Sequence, residues 1–183
     1  MKILGSVVAA FILLLATQGC YSQNTSSQKK STMDSTNKKN PVYSNTDTNK
    51  VVLSDDEWKK LLPSDVYYVA RQKGTERPNT SEYEKSNEIG TYYCAVCGNA
   101  LFKSDTKFES GCGWPSFDQE IPGAVKRIPD PDGSRIEIQC NTCGAHLGHV
   151  FLGEHMTPKD TRHCVNSLSI KFVPKNPREK SVT

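Results

Sequence analysis

Cys94-Ala95-Val96-Cys97-Gly98 and Cys140-Asn141-Thr142-Cys143-Gly144 are two copies of one pattern, C-x-x-C-G. Two residues between cysteines let both thiolates of a tight turn face a single ion. The following glycine frees the backbone so that its amides can turn toward the sulfurs. Two such knuckles make a tetrahedral four-thiolate site, closed to substrate and therefore structural. The expected cofactor is one Zn2+ held by Cys94, Cys97, Cys140 and Cys143. Two other readings of the spacing stay open. Ordinary disulfides are one, and a pair of redox-active C-x-x-C motifs is the other, although no thioredoxin-like βαβ pattern accompanies them.

Around the knuckles the pattern is mainly β. Thr91-Tyr92-Tyr93 is a short β-prone run. Ser134-Arg135-Ile136-Glu137-Ile138-Gln139 and Leu168-Ser169-Ile170-Lys171-Phe172 alternate polar and apolar with period 2. Pro122-Gly123 and Pro129-Asp130-Pro131-Asp132-Gly133 mark turns, and Thr75 to Gly90 reads as loop. Upstream, Ser54-Asp55-Asp56-Glu57 is a capping box that opens a helix through Trp58 and Leu61-Leu62, which Pro63 interrupts. Ser64 is expected to cap a second helix from Asp65 to Lys73, closed by Gly74. The expected domain is thus β-rich behind an N-terminal helical pair, spanning residues 51–173, with a charged tail at 174–183.

Met1 to Cys20 reads as an export signal. Lys2 precedes the apolar run Val7 to Ala16, about half of the ~20 residues a spanning helix needs. Thr17-Gln18-Gly19-Cys20 resembles a bacterial lipobox, in which the cysteine thiol is acylated, although Thr17 and Gln18 depart from its usual aliphatic and small residues. The reading is an exported lipoprotein anchored through Cys20 and facing the periplasm or the exterior; ordinary cleavage to a soluble secreted product is the alternative. Residues 21–50 follow as a polar tether, with Ser, Thr and Asn supplying 16 of its 30 residues. As a flexible coil it would measure roughly 30 Å end to end.

Charge is unevenly placed. Six Lys and two Asp lie in residues 1–50, leaving 17 Lys and Arg against 18 Asp and Glu in the remainder. The expected domain therefore has no basic excess to hold phosphates, and nucleic acid is not an expected partner.

Besides Cys20 and the knuckles, the chain has Cys112 and Cys164. Each sits in a Gly- or Arg-flanked stretch, Gly111-Cys112-Gly113-Trp114 and Arg162-His163-Cys164. Arg162 favours a Cys164 thiolate, and His163 would do so when protonated. Either a reversible thiol pair or a static disulfide closing a long loop fits.

Lys107-Phe108-Glu109-Ser110-Gly111-Cys112-Gly113-Trp114-Pro115-Ser116-Phe117, Cys143-Gly144-Ala145-His146-Leu147-Gly148-His149-Val150-Phe151 and Arg162-His163-Cys164-Val165-Asn166-Ser167 together resemble the B-type methionine sulfoxide reductases. The likeness extends upstream through Gly74-Thr75-Glu76 and runs from about Leu53 to Val173. It implies a core of two antiparallel sheets, the four-cysteine zinc site and reduction of methionine R-sulfoxide in proteins. It also implies Cys164 as nucleophile, Cys112 as resolving thiol and Arg162 as stabiliser of the thiolate. His146, His149 and Asn166 would organise the sulfoxide oxygen, and Trp114 and Phe151 would receive the S-methyl group. A thioredoxin-like dithiol would recycle the enzyme.

Two positions depart from the family pattern. After Phe151, where many members carry an acid and then Gly-Pro, stands Leu152-Gly153-Glu154-His155; position 163, often Tyr, is His. Read without the motif, Trp114 and Phe151 would be core residues, and His146 with His149 a candidate metal pair.

Overall fold

A computed structural model of the chain describes residues 40–47 and 49–176. The export signal, Cys20 and most of the tether lie outside the described residues, as does the end of the tail.

Two short helices come first, α1 (Asp55–Leu61) and α2 (Ser64–Ala70). The capping box of α1 is formed: Ser54 Oγ accepts from the Glu57 amide, and Glu57 Oε2 accepts from the Ser54 amide at 2.8 Å. Trp58, on the inner face, is buried. The second helix differs from expectation at both ends. Pro63 occupies the capping position and Ser64 is the first helical residue, so no side chain caps it. It stops at Ala70, before Lys73 turns left-handed (φ 57°). Arg71 there sends Nη1 to the Cys143 carbonyl at 3.1 Å, tying the helix end to the second knuckle.

Nine strands follow: β1 (Gly90–Cys94), β2 (Ala100–Lys103), β3 (Lys107–Phe108), β4 (Ser116–Phe117), β5 (Val125–Pro129), β6 (Ile136–Cys140), β7 (His146–Leu152), β8 (Thr161–Val165) and β9 (Ile170–Pro174). They form two antiparallel sheets, ordered β2-β1-β9 and β3-β4-β8-β7-β6-β5. The mainly β, two-sheet expectation holds. Aromatic rings join the sheets: Phe102 of β2 stacks on Phe117 of β4 with centroids 4.4 Å apart, and Tyr92 of β1 meets Phe117 edge-on at 4.9 Å. Leu101, Ile138 and Leu147 are buried in the same cluster.

The polar run expected as tether through Lys50 behaves differently from Asn40 onward. Asn40 Nδ2 donates to the Val96 carbonyl at 2.7 Å, and the Ser44 amide donates to Cys97 O at 2.9 Å. Val51 then donates to Thr142 O at 3.0 Å, so one segment hydrogen-bonds to both knuckles. The close approach depends on Gly98 (φ 84°): a Cβ there would sit 2.5 Å from the Ser44 oxygen. A polar segment with few apolar residues is held here through its backbone, which composition does not reveal.

Candidate active site

The first knuckle is the turn between β1 and β2, the second the turn between β6 and β7. Cys94, Cys97, Cys140 and Cys143 are all buried, and their sulfurs lie within 4.8 Å of one another. Cys94 Sγ to Cys143 Sγ and Cys97 Sγ to Cys140 Sγ are each 3.7 Å. A tetrahedron of thiolates about 2.3 Å from a central ion has edges of about 3.8 Å. The donors therefore fit one metal ion, which would clip the two sheets together.

Register builds the second site. On β7 and β8 the Cα partners are His149 with Cys164, Val150 with His163 and Phe151 with Arg162. Side chains alternate across a strand, so His149, Phe151, Arg162 and Cys164 share one face while Val150 and His163 share the other. On β4, Ser116 partners Cys164 and Phe117 partners His163, which extends the same two faces. Gly148 lies between Ile138 and Val165 with φ 148°, and a Cβ there would strike the Cys164 carbonyl oxygen. Glycine lets the two strands close up beside the thiol.

On that face is a pocket of about 150 Å³ lined by Thr75, Trp114, Arg135, Gly148, His149, Phe151, Cys164, Val165 and Asn166. Of the residues singled out from sequence it gathers Cys164, His149, Asn166, Trp114 and Phe151. Cys112 does not line it, but Cys112 Sγ lies 3.7 Å from Cys164 Sγ. Ser110 Oγ donates to Cys112 Sγ at 3.0 Å and is within 2.7 Å of Ser116 Oγ. The Cys164 contact, with the Ser110 and Ser116 hydroxyls, holds the Cys112 thiol down to about 4 against the effect of burial. The same sulfur contact, together with burial, pushes Cys164 up, opposed by the Arg162 charge. Because the bond between the sulfurs can run either way, the first proton leaves the pair readily and the second with difficulty.

Arg162 is buried over the Phe151 ring, its guanidinium carbon 4.3 Å from the centroid. Glu154 grips it in a fork, Oε2 to Nε at 2.7 Å and Oε1 to Nη2 at 2.9 Å. Glu154, two residues beyond the end of β7, is thus the acid that the run after Phe151 offers to Arg162.

The two histidines part company. His149 enters the pocket; His146 is buried behind it, its Nδ1 2.7 Å from Glu137 Oε1, the rings edge to face at 5.7 Å. Burial pushes the Glu137 carboxyl up, but Lys73 Nζ at 2.8 Å and the Gln139 and His146 hydrogen bonds bring it below the usual range. Neither histidine joins the cysteine cluster.

His163 corrects the expectation that it assists the thiolate. It faces the opposite side of β8, fully buried, with Nδ1 3.1 Å from Phe117 O and Nε2 3.0 Å from Glu120. Burial lowers its pKa, so it is biased toward the neutral form and away from Cys164's face.

Four residues that shape the site were not singled out for it from sequence. Glu76 accepts from the Ser167 and Leu168 amides at 2.6 and 2.9 Å, while its own amide donates to Asn166 Oδ1 at 3.2 Å. Its carbonyl takes the Trp114 indole N–H at 3.3 Å. Asp130 and Arg135 arrive from the β5–β6 turn, and Thr75 from the loop after α2. Gly74-Thr75-Glu76 marks part of the family likeness, but nothing in its residue types announces a brace.

Two thiols within reach of each other, one facing an apolar pocket with an imidazole beside it, define a thiol-based oxidoreductase. Residues 62–174 match the SelR domain model, and the chain belongs to that family. It is 58% identical over 124 residues to peptide methionine sulfoxide reductase B2, chloroplastic, of Arabidopsis thaliana, covering 67% of this chain and 61% of that one. Against peptide methionine sulfoxide reductase B5 of Oryza sativa subsp. japonica it is 58% identical over 122 residues, 66% of this chain and 90% of that one. Peptide methionine sulfoxide reductase B5 of Arabidopsis thaliana is 53% identical over 125 residues, with 68% and 90% covered.

Proposed function

We propose that this chain reduces methionine R-sulfoxide in oxidised proteins to methionine. The observation that carries this is the β7–β8 register, which sets His149 beside Cys164 in the pocket with Cys112 Sγ 3.7 Å away. A sulfoxide is a poor electrophile until its oxygen takes a proton. The site needs a sulfur nucleophile on one side and an acid on the other, and the facing Cys164 and His149 side chains offer both.

Trp114 and Phe151 receive the S-methyl group, while Asn166 frames the oxygen side. His149 gives a proton to the sulfoxide oxygen as Cys164 Sγ attacks sulfoxide sulfur. His146 acts only through the His149 ring. The oxygen passes to Cys164 as a sulfenic acid, and methionine leaves as the reduced thioether. Attack comes from Cys164 because it lines the pocket and carries the Arg162 charge beside it; proton sharing across the sulfur pair lets it react as thiolate. Cys112 then attacks the Cys164 sulfur, the S–S bond forms, the S–O bond breaks and water departs. A thioredoxin-type dithiol reduces that disulfide and is itself oxidised, restoring both thiols.

Cys94, Cys97, Cys140 and Cys143 would hold the ion, assigned as Zn2+ because a set of four buried thiolates suits it. Bound there, it would cross-link the sheets and supply no chemistry at the sulfoxide. Residues 1–20 are assigned as an export signal with Cys20 lipidated, residues 21–39 as a spacer, and the reductase domain begins at residue 51 or before. The protein is then membrane-anchored and faces the periplasm or exterior. Mass spectrometry of the mature N-terminus tests this: an acylated Cys20 supports it, and an unmodified start elsewhere overturns it.

The activity is tested by turnover of each sulfoxide epimer with dithiothreitol, for wild type and Cys164→Ser. Reduction of the R form alone, lost in the variant, is the expected result. Reduction of the S form, or a fully active variant, overturns the proposal.

A further inference from the structure

The β5–β6 turn, a plain turn by its residue types, brings its base to the site. Asp130 and Arg135 close it: the Asp130 amide donates to Arg135 O at 2.9 Å, and Gly133 N–H donates to Asp130 O at 2.8 Å. Asp132 Oδ1 accepts from the Ser134 amide and hydroxyl, which stiffens the tip. From this base Asp130 Oδ2 lies 3.2 Å from Arg135 Nε and 3.3 Å from His149 Nε2. One carboxylate oxygen is thus shared between a pocket-lining guanidinium and the pocket imidazole.

We propose that Asp130 is a positioning residue for the reaction: it orients His149 through Nε2, leaving Nδ1 as the nitrogen not engaged by Asp130, and together with Arg135 sets the charge of that ring. This rests on the assignment of His149 as the proton donor. Packed about His149 are Glu137 on β6, Asp130 and Arg135 on the turn before it, His146 on its own strand and Cys164 across on β8. Glu137 is engaged by Lys73 and His146, so Asp130 is the carboxylate left to act on the ring directly. Burial lowers the His149 pKa, Arg135 and His146 add to that, and Asp130 opposes it. Asp130 keeps the ring protonated to a higher pH than burial and Arg135 would otherwise allow, while Arg135 limits how tightly the proton is held.

The sign follows. An acid works while protonated, so kcat/KM falls as pH rises through its pKa. Asp130→Asn keeps an acceptor for Nε2 but removes the charge, and moves the alkaline limb down by about one pH unit. Asp130→Ala loses orientation as well and lowers the plateau in addition. Arg135→Gln removes a repelling charge and moves the limb up. The same variants are titrated by NMR on the His149 ring in reduced, substrate-free protein, where the pKa is expected to move in the same two directions. No movement in either variant overturns the wiring. A ring pKa that moves while the pH–rate profile stays fixed leaves Asp130 coupled to His149 and overturns His149 as the acid. Both profile and titration shifting oppositely in the two variants is the result expected.

Discussion

Cys112 Sγ and Cys164 Sγ lie 3.7 Å apart although one thiol is in the loop between β3 and β4 and the other is on β8. The β4–β8 pairing of Ser116 with Cys164 anchors one end of the loop, and Ser110, bonded to Cys112 and close to Ser116, folds the other end down. A disulfide needs the sulfurs about 2.05 Å apart, a closure of roughly 1.7 Å from this separation. Side-chain rotation and a small loop movement supply that. The pair is near enough to react without rearranging the sheets.

Cys112→Ser therefore keeps the attacking thiol and removes the partner. One methionine per chain is expected in a single burst, with no further turnover on a thioredoxin-type reductant. A small monothiol that attacks the sulfenic acid directly restores slow cycling. Rapid-quench measurement of methionine per chain checks this, and sustained thioredoxin-dependent turnover would remove Cys112 from the resolving role.

Arg162 is useful to Cys164 only where it is held. The Glu154 fork holds it at one end and the Phe151 face at the other. Glu154→Ala is expected to lower kcat/KM about tenfold, the size of a one-unit change in thiolate stabilisation. In a Cys112→Ser background, where Cys164 is read alone, its alkylation by iodoacetamide shifts to higher pH. Thermal stability falls as well, because Glu154 is partly exposed but its loss leaves the buried Arg162 guanidinium without its carboxylate. A large loss of melting temperature with unaltered thiol reactivity would make the pair structural instead.

Much of this is legible in the amino-acid sequence itself. The capping box at Ser54 and Glu57 and the two cysteine knuckles are local patterns found where the residues put them. The period-2 runs fall in β6 and β9 with their first two residues outside the strands, Leu168 and Ser169 lying in a 3₁₀ turn, and Glu137 is buried where alternation would turn it outward. Strands β7 and β8 carry the site residues, and they show no clean alternation because both faces are used. One face packs on Phe117 and Phe102 and the other lines the pocket. His163 illustrates the loss: adjacency to Cys164 in sequence looks like proximity, whereas adjacency in a strand means opposite faces. His146 and His149, three apart, likewise separate into a buried partner of Glu137 and a pocket residue. Glu76 and Asp130 act across long sequence separations through backbone amides and one shared oxygen, and no spacing rule reports such contacts. Asn40 to Ser44 were hidden for the same reason.

The four-thiolate knot bears on stability because it ties the β1–β2 turn to the β6–β7 turn, and Asn40 to Val51 hang on the same two turns. Structural zinc contributes on the order of 10 kcal/mol to small metal-bound folds, comparable to the roughly 5–15 kcal/mol by which a domain is stable at all. Cys97→Ser is expected to abolish stoichiometric zinc and leave the domain unfolded or expanded at 25 °C. Atomic absorption on the purified protein gives about one zinc per wild-type chain, and circular dichroism follows the fold. Metal-free wild type with unchanged melting would show that the knot is not held by an ion.

Gly148 offers a sharper test of the register. Its φ of 148° and the Cys164 carbonyl against its α-carbon leave no room for a side chain between Ile138 and Val165. Gly148→Ala must push β7 away from β8 at the point where His149 and Cys164 pair. Overpacking of this kind costs about 1–3 kcal/mol, so the protein is expected to remain folded with a lower melting temperature. Activity suffers more than stability, since a displacement near 1 Å at reacting groups costs about a hundredfold in rate. The expected signature is a fall in kcat with zinc content and far-ultraviolet circular dichroism unchanged. Full activity in a folded Gly148→Ala protein would mean that the close approach of the two strands does not set the geometry of the thiol and the imidazole.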